Sequence, residues 1–126
     1  MANNPSFAST VRGASVNIST ADTSRTSPTN VGTVFSAGTS GSRIDEIDII
    51  ATGITTSNVV RLWLYSGSTY YLFQEVIVSA ITPSTTQAVF SSTLTFNNLM
   101  LPNGWSLRAT TNNAESYNVT AFGGDF

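Results

Sequence analysis

From residue 33 onward, apolar and polar positions alternate with a period of two, and Gly, Pro and Asn break the pattern at short intervals. Thr33-Val34-Phe35-Ser36 reads as a short strand closed by Gly38 and Gly41, and Arg43 to Thr52 as a longer one stopped by Gly53. Asn58 to Ser66 sets Val60, Leu62 and Leu64 against Arg61, Trp63 and Tyr65. After a Ser66-Gly67-Ser68 turn, Thr69 to Ser79 comes back, so these two segments predict a hairpin. Pro83 ends that element, and Gln87 to Phe96 then places Ala88, Phe90, Leu94 and Phe96 on one face. Leu99 to Gly104 reads as a connection and Trp105 to Thr110 alternates again. A polar turn over 111–114 leads to Ser116–Phe122, with Tyr117, Val119 and Ala121 sharing a face.

The first 30 residues differ. Only scattered apolar positions lie among Ser, Thr and Asn, and one alternating stretch, Ala14 to Ser19, has the form of a strand. The rest reads as a polar arm, which buries too little apolar surface to offset its ordering entropy and either orders against a partner or is a frayed terminus. The expected organisation is an arm over 1–30 with one possible strand, followed by a β domain over 31–126. Met1 to Ser6 has neither a basic nor an apolar region of the signal-peptide kind. No apolar run approaches the ~20 residues that cross a bilayer. These features predict a soluble chain made in the cytoplasm, with no membrane partner.

Counting the Ala14–Ser19 stretch, there are eight candidate strands at intervals near those of two-sheet proteins, rich in Val, Ile, Thr, Phe and Tyr, and no amphipathic helix. This pattern predicts an all-β chain: a two-sheet sandwich, a jelly roll or a small barrel. The length of 126 residues suits one domain. The 18 Ser and 19 Thr fit solvent-facing positions of a pleated sheet.

Composition narrows the chemistry. The chain is 10% charged, against about 25% in a typical domain. It has five Arg, no Lys, seven Asp plus Glu, no His and no Cys. A Ser-His-Asp triad, a Cys nucleophile, a disulfide and a zinc site of the usual ligands are therefore excluded. A net charge of -2 also argues against nucleic acid as partner, because phosphate binding draws on clustered Lys and Arg.

Three groups of residues remain as candidates. Asp45-Glu46-Ile47-Asp48 carries oxygen ligands of the kind Ca²⁺ takes, but lies inside a strand pattern and lacks a Gly-punctuated loop. Strict alternation puts Asp45 and Glu46 on opposite faces and Glu46 with Asp48 on one, which favours a surface pair matched to Arg43 or Arg61. Glu75, Glu115 and Asp125, with Arg61 or Arg108 in support, are the carboxylates a glycosidase would draw on, yet their spacing selects no pair. The expectation is no catalysis, no cofactor and no metal.

The aromatic set is more informative. If Val60, Leu62 and Leu64 face the core, then Arg61, Trp63 and Tyr65 point outward, and Tyr70 follows across the turn. Outward aromatics with Arg compose the centre of a protein interface, so Arg61, Trp63, Tyr65 and Tyr70 are the candidate interface residues. The alternatives are a sugar-stacking platform, or a central strand covered on both faces. Trp105, after the Asn103-Gly104 turn, reads as core. Two glycosylation sequons, at Asn17 and Asn118, are expected by chance in so Asn-, Ser- and Thr-rich a chain.

Three segments carry a family resemblance: Gly41 to Gly53 (GSRIDEIDIIATG), Asn58 to Gly67 (NVVRLWLYSG), and Leu101 to Phe126, which closes with Asn113-Ala114-Glu115 and Gly123-Gly124-Asp125. Over about residues 31–126 the chain resembles small virion proteins of tailed bacteriophages. Members are often jelly-roll-like, so the resemblance implies an antiparallel β-sandwich of about eight strands. It further implies a capsid decoration (cement) protein on the head surface, with the major capsid protein as partner and a homo-oligomer, a trimer being favoured. A tail or head-fibre component that contacts the host, and a carbohydrate-binding module, are the alternatives. The family has no active site to carry over.

Overall fold

The computed structural model describes residues 10–126, and these form eight strands and no helix. They are β1 (Thr10–Ile18), β2 (Gly32–Ser36), β3 (Ser42–Ala51), β4 (Asn58–Ser66), β5 (Thr69–Val78), β6 (Ser91–Leu101), β7 (Trp105–Thr111) and β8 (Tyr117–Asp125). One sheet has the order β1-β8-β3-β6, the other β2-β7-β4-β5, and all neighbouring strands run antiparallel. Within the sheets β1 pairs with β8, β2 with β7, β3 with β6 and β4 with β5. That nested pairing is a long double ribbon rolled into two layers, the jelly-roll arrangement of a β-sandwich.

Alternation explains why these segments are strands. Ile47, Ile49 and Ala51 of β3, Val60 and Leu62 of β4, Leu107 and Ala109 of β7, and Tyr117, Val119 and Ala121 of β8 bury their side chains in one core. Packing the two inner faces together removes this apolar surface from water. The predicted hairpin forms, with Ser66 opposite Thr69 and Tyr65 opposite Tyr70, and its register shifts between Leu62 and Trp63. Its two turn residues, Gly67 and Ser68, have φ of 53° and 75°. Two positive φ angles match the right-handed twist of the flanking strands.

The structure departs from simple alternation at several bulges. The β2–β7 register shifts between Thr33 and Phe35, where Val34 and Phe35 are both buried. The β4–β5 register shifts between Leu62 and Trp63, and β3 and β6 carry others. In β3, Ile44 and Ile47 are both fully buried, and the register with β6 and β8 shifts between Ile44 and Glu46. Asp45 is the inserted residue, so Asp45 and Glu46 both turn away from the core, which corrects the expectation of opposite faces. In β6 the ladder passes from Thr95 to Leu99 while β3 passes only from Glu46 to Ile44. Asn97 and Asn98, which read as the end of a strand, are absorbed as a bulge, and β6 continues to Leu101. The predicted strand over 87–96 is thereby shifted. Ala88 is exposed in the connection before β6.

The segment set apart as an arm is part of the sandwich. β1 pairs with β8 without interruption from Thr10–Asp125 to Ile18–Tyr117, and Ala14, Val16 and Ile18 pack on the core. Residues 19–31 then cross to the other sheet as a strap. Ala21 bridges Thr111, and the Asp22 N–H donates to the Thr111 carbonyl at 2.8 Å. The Asp22 carboxylate accepts backbone N–H groups of Ser24 (3.0 Å), Thr29 (2.7 Å) and Asn30 (2.9 Å). This polar segment orders by capping its own backbone rather than by burying apolar bulk. The start of the arm, including the Met1–Ser6 reading, lies outside the described residues.

At one end the two sheets are tied together. Asp125 accepts from Ser42 Oγ at 2.5 Å and from Arg12 Nη1 at 2.9 Å. The same Arg12 nitrogen donates to the Ser36 carbonyl at 2.8 Å, and its guanidinium lies 4.1 Å from the centroid of the Phe35 ring. The Gly123-Gly124-Asp125 ending thus joins β1, β3 and β8 to β2.

Candidate interaction surface

β4 is a central strand, flanked by β7 and β5, and its outer face carries Arg61, Trp63 and Tyr65. The structure gathers the candidate aromatics into one cluster. Tyr65 and Tyr70 have ring centroids 4.4 Å apart, and Trp63 meets Tyr70 edge-on at 6.0 Å. It does not leave all of them in solvent. Arg61 is 2% exposed and Trp63 0%, so for these two the solvent-exposed interface expectation is corrected and the alternative of a central strand covered on both faces holds.

For Arg61 the cover includes the strap. Arg61 Nε pairs with Glu75 at 2.8 Å while its Nη1 donates to Asn112 Oδ1 (3.2 Å) and to the Asp22 carbonyl (3.4 Å). From the strap, Arg25 reaches the same Glu75 at 2.7 Å. Trp63 Nε1 donates to Thr110 Oγ1 at 3.0 Å, so the indole's polar atom is satisfied inside. Arg61 ties the sheet to its strap, Trp63 ties β4 to β7, and the accessible end of the face belongs to Tyr65 and Tyr70.

One member of this surface was named in the sequence only as electrostatic support. In β7, Leu107 and Ala109 face the core, so Arg108 between them faces out, and the β4–β7 register sets it opposite Trp63. Its guanidinium carbon lies 3.9 Å from the centroid of Tyr65 and 5.7 Å from that of Tyr70. Nη1 donates to the Tyr70 hydroxyl at 3.1 Å and Nε to Ser106 Oγ at 3.0 Å. The other four arginines each pair with a carboxylate: Arg12 with Asp125, Arg25 and Arg61 with Glu75, Arg43 with Asp45. Among the described residues Arg108 forms no ion pair, and its Nη2 makes no hydrogen bond. Leu72, opposite Trp63 on β5 and 38% exposed, adds apolar surface beside the cluster. The alternation Leu107-Arg108-Ala109 already pointed Arg108 outward; its place beside Tyr65 depended on which strand pairs with which.

The carboxylates fall into separate networks. Glu75 is held below its ordinary pKa by Arg25 and then Arg61. Asp125 is lowered by Ser42 and then Arg12. Burial alone would raise Glu115, but donors from Thr56, Tyr117 and Asn58 outweigh it and the net shift is downward. There Asn58 Nδ2 donates to the Tyr117 hydroxyl at 2.9 Å and to Thr111 Oγ1 at 3.0 Å, while Tyr117 donates to Glu115 Oε1 at 2.9 Å. Burial raises the Tyr117 phenol. Glu75, Glu115 and Asp125 therefore do not converge on one another.

Glu46 and Asp48 do share the outer face of β3. Their hydrogen bond and mutual repulsion raise the Glu46 pKa, and Thr93 donates to Asp48 at 2.7 Å. Arg43 pairs with Asp45 at 2.7 Å; Arg61 serves Glu75 instead. Trp105 packs on the core margin and stacks with Tyr71 at 6.2 Å. The two sequon asparagines sit opposite each other on β1 and β8, with Asn17 Nδ2 donating to Asn118 Oδ1 at 2.9 Å. A cleft of about 320 Å³ between the end of β1 and the start of β2 is lined by Asn17, Ser19, Thr20, Thr29 and Asn30, none of them ionisable. Neither a scan against protein-family models nor a search of curated proteins returns a match to this chain.

Proposed function

We propose that this chain is a structural protein of a tailed-phage virion that binds the outer surface of the capsid and stabilises it. The observation that carries the reading is the accessible end of the outer face of the β2-β7-β4-β5 sheet. There Tyr65 and Arg108, on the central strands β4 and β7, and Tyr70, on the neighbouring edge strand β5, are preorganised by mutual contact. Half-buried aromatics with an arginine are the residues in which binding energy concentrates. Because their rotamers are already fixed, little side-chain entropy is lost on docking. The family resemblance supplies the class of partner, the major capsid protein.

A shell built from many identical copies rewards such a surface. Modest contacts repeated by a cyclic oligomer, with a trimer fitting a three-fold axis, multiply through avidity. The edge strands β1, β6, β2 and β5 are available for contacts between copies. A carbohydrate platform is the weaker reading. Trp63 is fully buried, and Tyr65 already has the Arg108 guanidinium and the Tyr70 ring against it.

The test is direct. Purified protein is mixed with expanded heads of the phage that encodes it, and the pellets and thermal resistance of the heads are compared with and without it. Saturable binding with raised resistance is expected. Unbound protein, or labelling of the tail in electron micrographs, ends the capsid reading and favours a fibre component.

A further inference from the structure

Resting on that reading, we infer that Arg108 is the receptor for one carboxylate, an Asp or Glu side chain on the capsid surface, gripped by the Nη2 side of its guanidinium. Among the described residues this charge is left without a carboxylate. Every other arginine has a carboxylate within 2.9 Å, and the half-buried acidic pair Glu46 and Asp48 lies on the opposite sheet. Arg108 is not a loose surface charge. Tyr65 lies against it at 3.9 Å, and Tyr70 and Ser106 accept from Nη1 and Nε at 3.1 and 3.0 Å. Those contacts fix the plane of the fork and leave Nη2 pointing to no acceptor of its own.

Docking over Tyr65, Tyr70 and Leu72 strips water from this guanidinium. Burying an uncompensated charge is strongly unfavourable, so the surface that covers it must bring the counter-charge. A planar carboxylate fits the remaining N–H donors, and a desolvated, hydrogen-bonded pair of this kind is among the stronger contacts across an interface. A phosphate polymer is a poor alternative occupant. One isolated arginine on a chain of net charge -2 offers no electropositive track for a nucleic acid backbone.

The experiment measures binding isotherms of the full chain on expanded heads by co-sedimentation. Wild type, Arg108→Gln and Arg108→Lys are compared, on native heads and on heads whose surface carboxylates have been amidated with a carbodiimide and methylamine. Arg108→Gln is expected to weaken binding at least tenfold. Arg108→Lys should weaken it several-fold, because a point charge loses the planar fork and the stacking. On amidated heads wild type should fall to the level of Arg108→Gln. Wild-type binding unchanged by amidation, or Arg108→Gln within twofold of wild type on native heads, overturns the inference and leaves the capsid reading standing. Failure of wild type to bind native heads overturns both. The amidation arm uses unaltered protein, so it decides the matter even if a variant folds poorly.

Discussion

Replacing Gly123 by Ala should damage the fold out of proportion to one methyl group. Gly123 lies on β8 opposite Ile44, beside the bulge that Asp45 makes in β3. A Cβ there would sit 1.8 Å from the Arg43 carbonyl oxygen, 2.8 Å from its carbon and 2.9 Å from the Ile44 Cα, all backbone atoms that cannot swing aside. To restore even a 3.0 Å contact, the two strands must part by at least about 1.2 Å against a normal spacing of about 4.8 Å. Ladder hydrogen bonds on either side would stretch or break, each costing about 1 kcal/mol. Overpacking adds about 1–3 kcal/mol. The expected loss is about 3–5 kcal/mol, a large share of the ~5–15 kcal/mol typical of a domain. Urea unfolding followed by circular dichroism measures it, and the midpoint of thermal unfolding should fall by at least about 10 °C. Gly53→Ala, where an added Cβ meets nothing within 4 Å, is the control and should stay within about 0.5 kcal/mol of wild type. A Gly123→Ala protein as stable as the control would refute the packing of β8 against the bulge.

The strap makes a second target. Asp22→Ala removes an 8%-exposed carboxylate that caps three backbone N–H groups, and should cost about 2–4 kcal/mol. Urea unfolding followed by circular dichroism reads the loss, and an Asp22→Ala midpoint equal to that of wild type would contradict the capping role. Stability should also depend on acid in a defined direction. Asp22, Glu75, Glu115 and Asp125 all have lowered pKa values in the fold, so the unfolded chain binds more protons. Their stabilisation is full above the ordinary values of 3.8 and 4.5, and it is lost as pH falls through the lower folded values. Denaturant titrations across pH 2–7 (roughly the span of these carboxylates) read this out, and a flat profile below pH 4.5 would contradict it. Asn58→Ala strips a donor from Glu115 and should move its contribution toward higher pH, while costing about 2–4 kcal/mol for the buried partners left unmatched. Glu46→Gln works in the opposite sense. The raised Glu46 pKa reflects strain against Asp48, so the neutral amide should make the protein slightly more stable at pH 7, measurable as a higher urea midpoint.

The elements that the sequence showed well were those whose local chemistry and burial agree. The hairpin of β4 and β5 was legible because Gly67 and Ser68 supply a turn between alternating runs. The inner faces of β3, β4, β7 and β8 were legible because their apolar residues recur every second position. The bulges were hidden, since an inserted Asp45 or an Asn97-Asn98 pair looks locally like ordinary alternation or like a strand end. The larger error concerned Arg61 and Trp63. Their outward direction was right, but exposure depends on what lies over the sheet: Trp63 is met by Tyr70 edge-on and bonded to Thr110, while Arg61 meets a Ser-, Thr- and Asn-rich strap held by Asp22. No hydropathy pattern betrays such a segment. Arg108 escaped for a different reason: its place beside Tyr65 follows from β7 pairing with β4, a contact between strands about 40 residues apart. The Gly123-Gly124-Asp125 ending was noticed only through family resemblance, and its physical sense lies in the β3 bulge and the Ser42 and Arg12 contacts.

The most direct measurement of the central claim is a cryo-electron-microscopy reconstruction of expanded heads incubated with this protein. The expected result is added density on the outer shell at symmetry-related positions, fitted by the two-sheet sandwich with Tyr65, Tyr70 and Arg108 turned toward the capsid and an acidic side chain opposite Arg108. Bare shells, or bound copies that present those three residues to solvent, would contradict it.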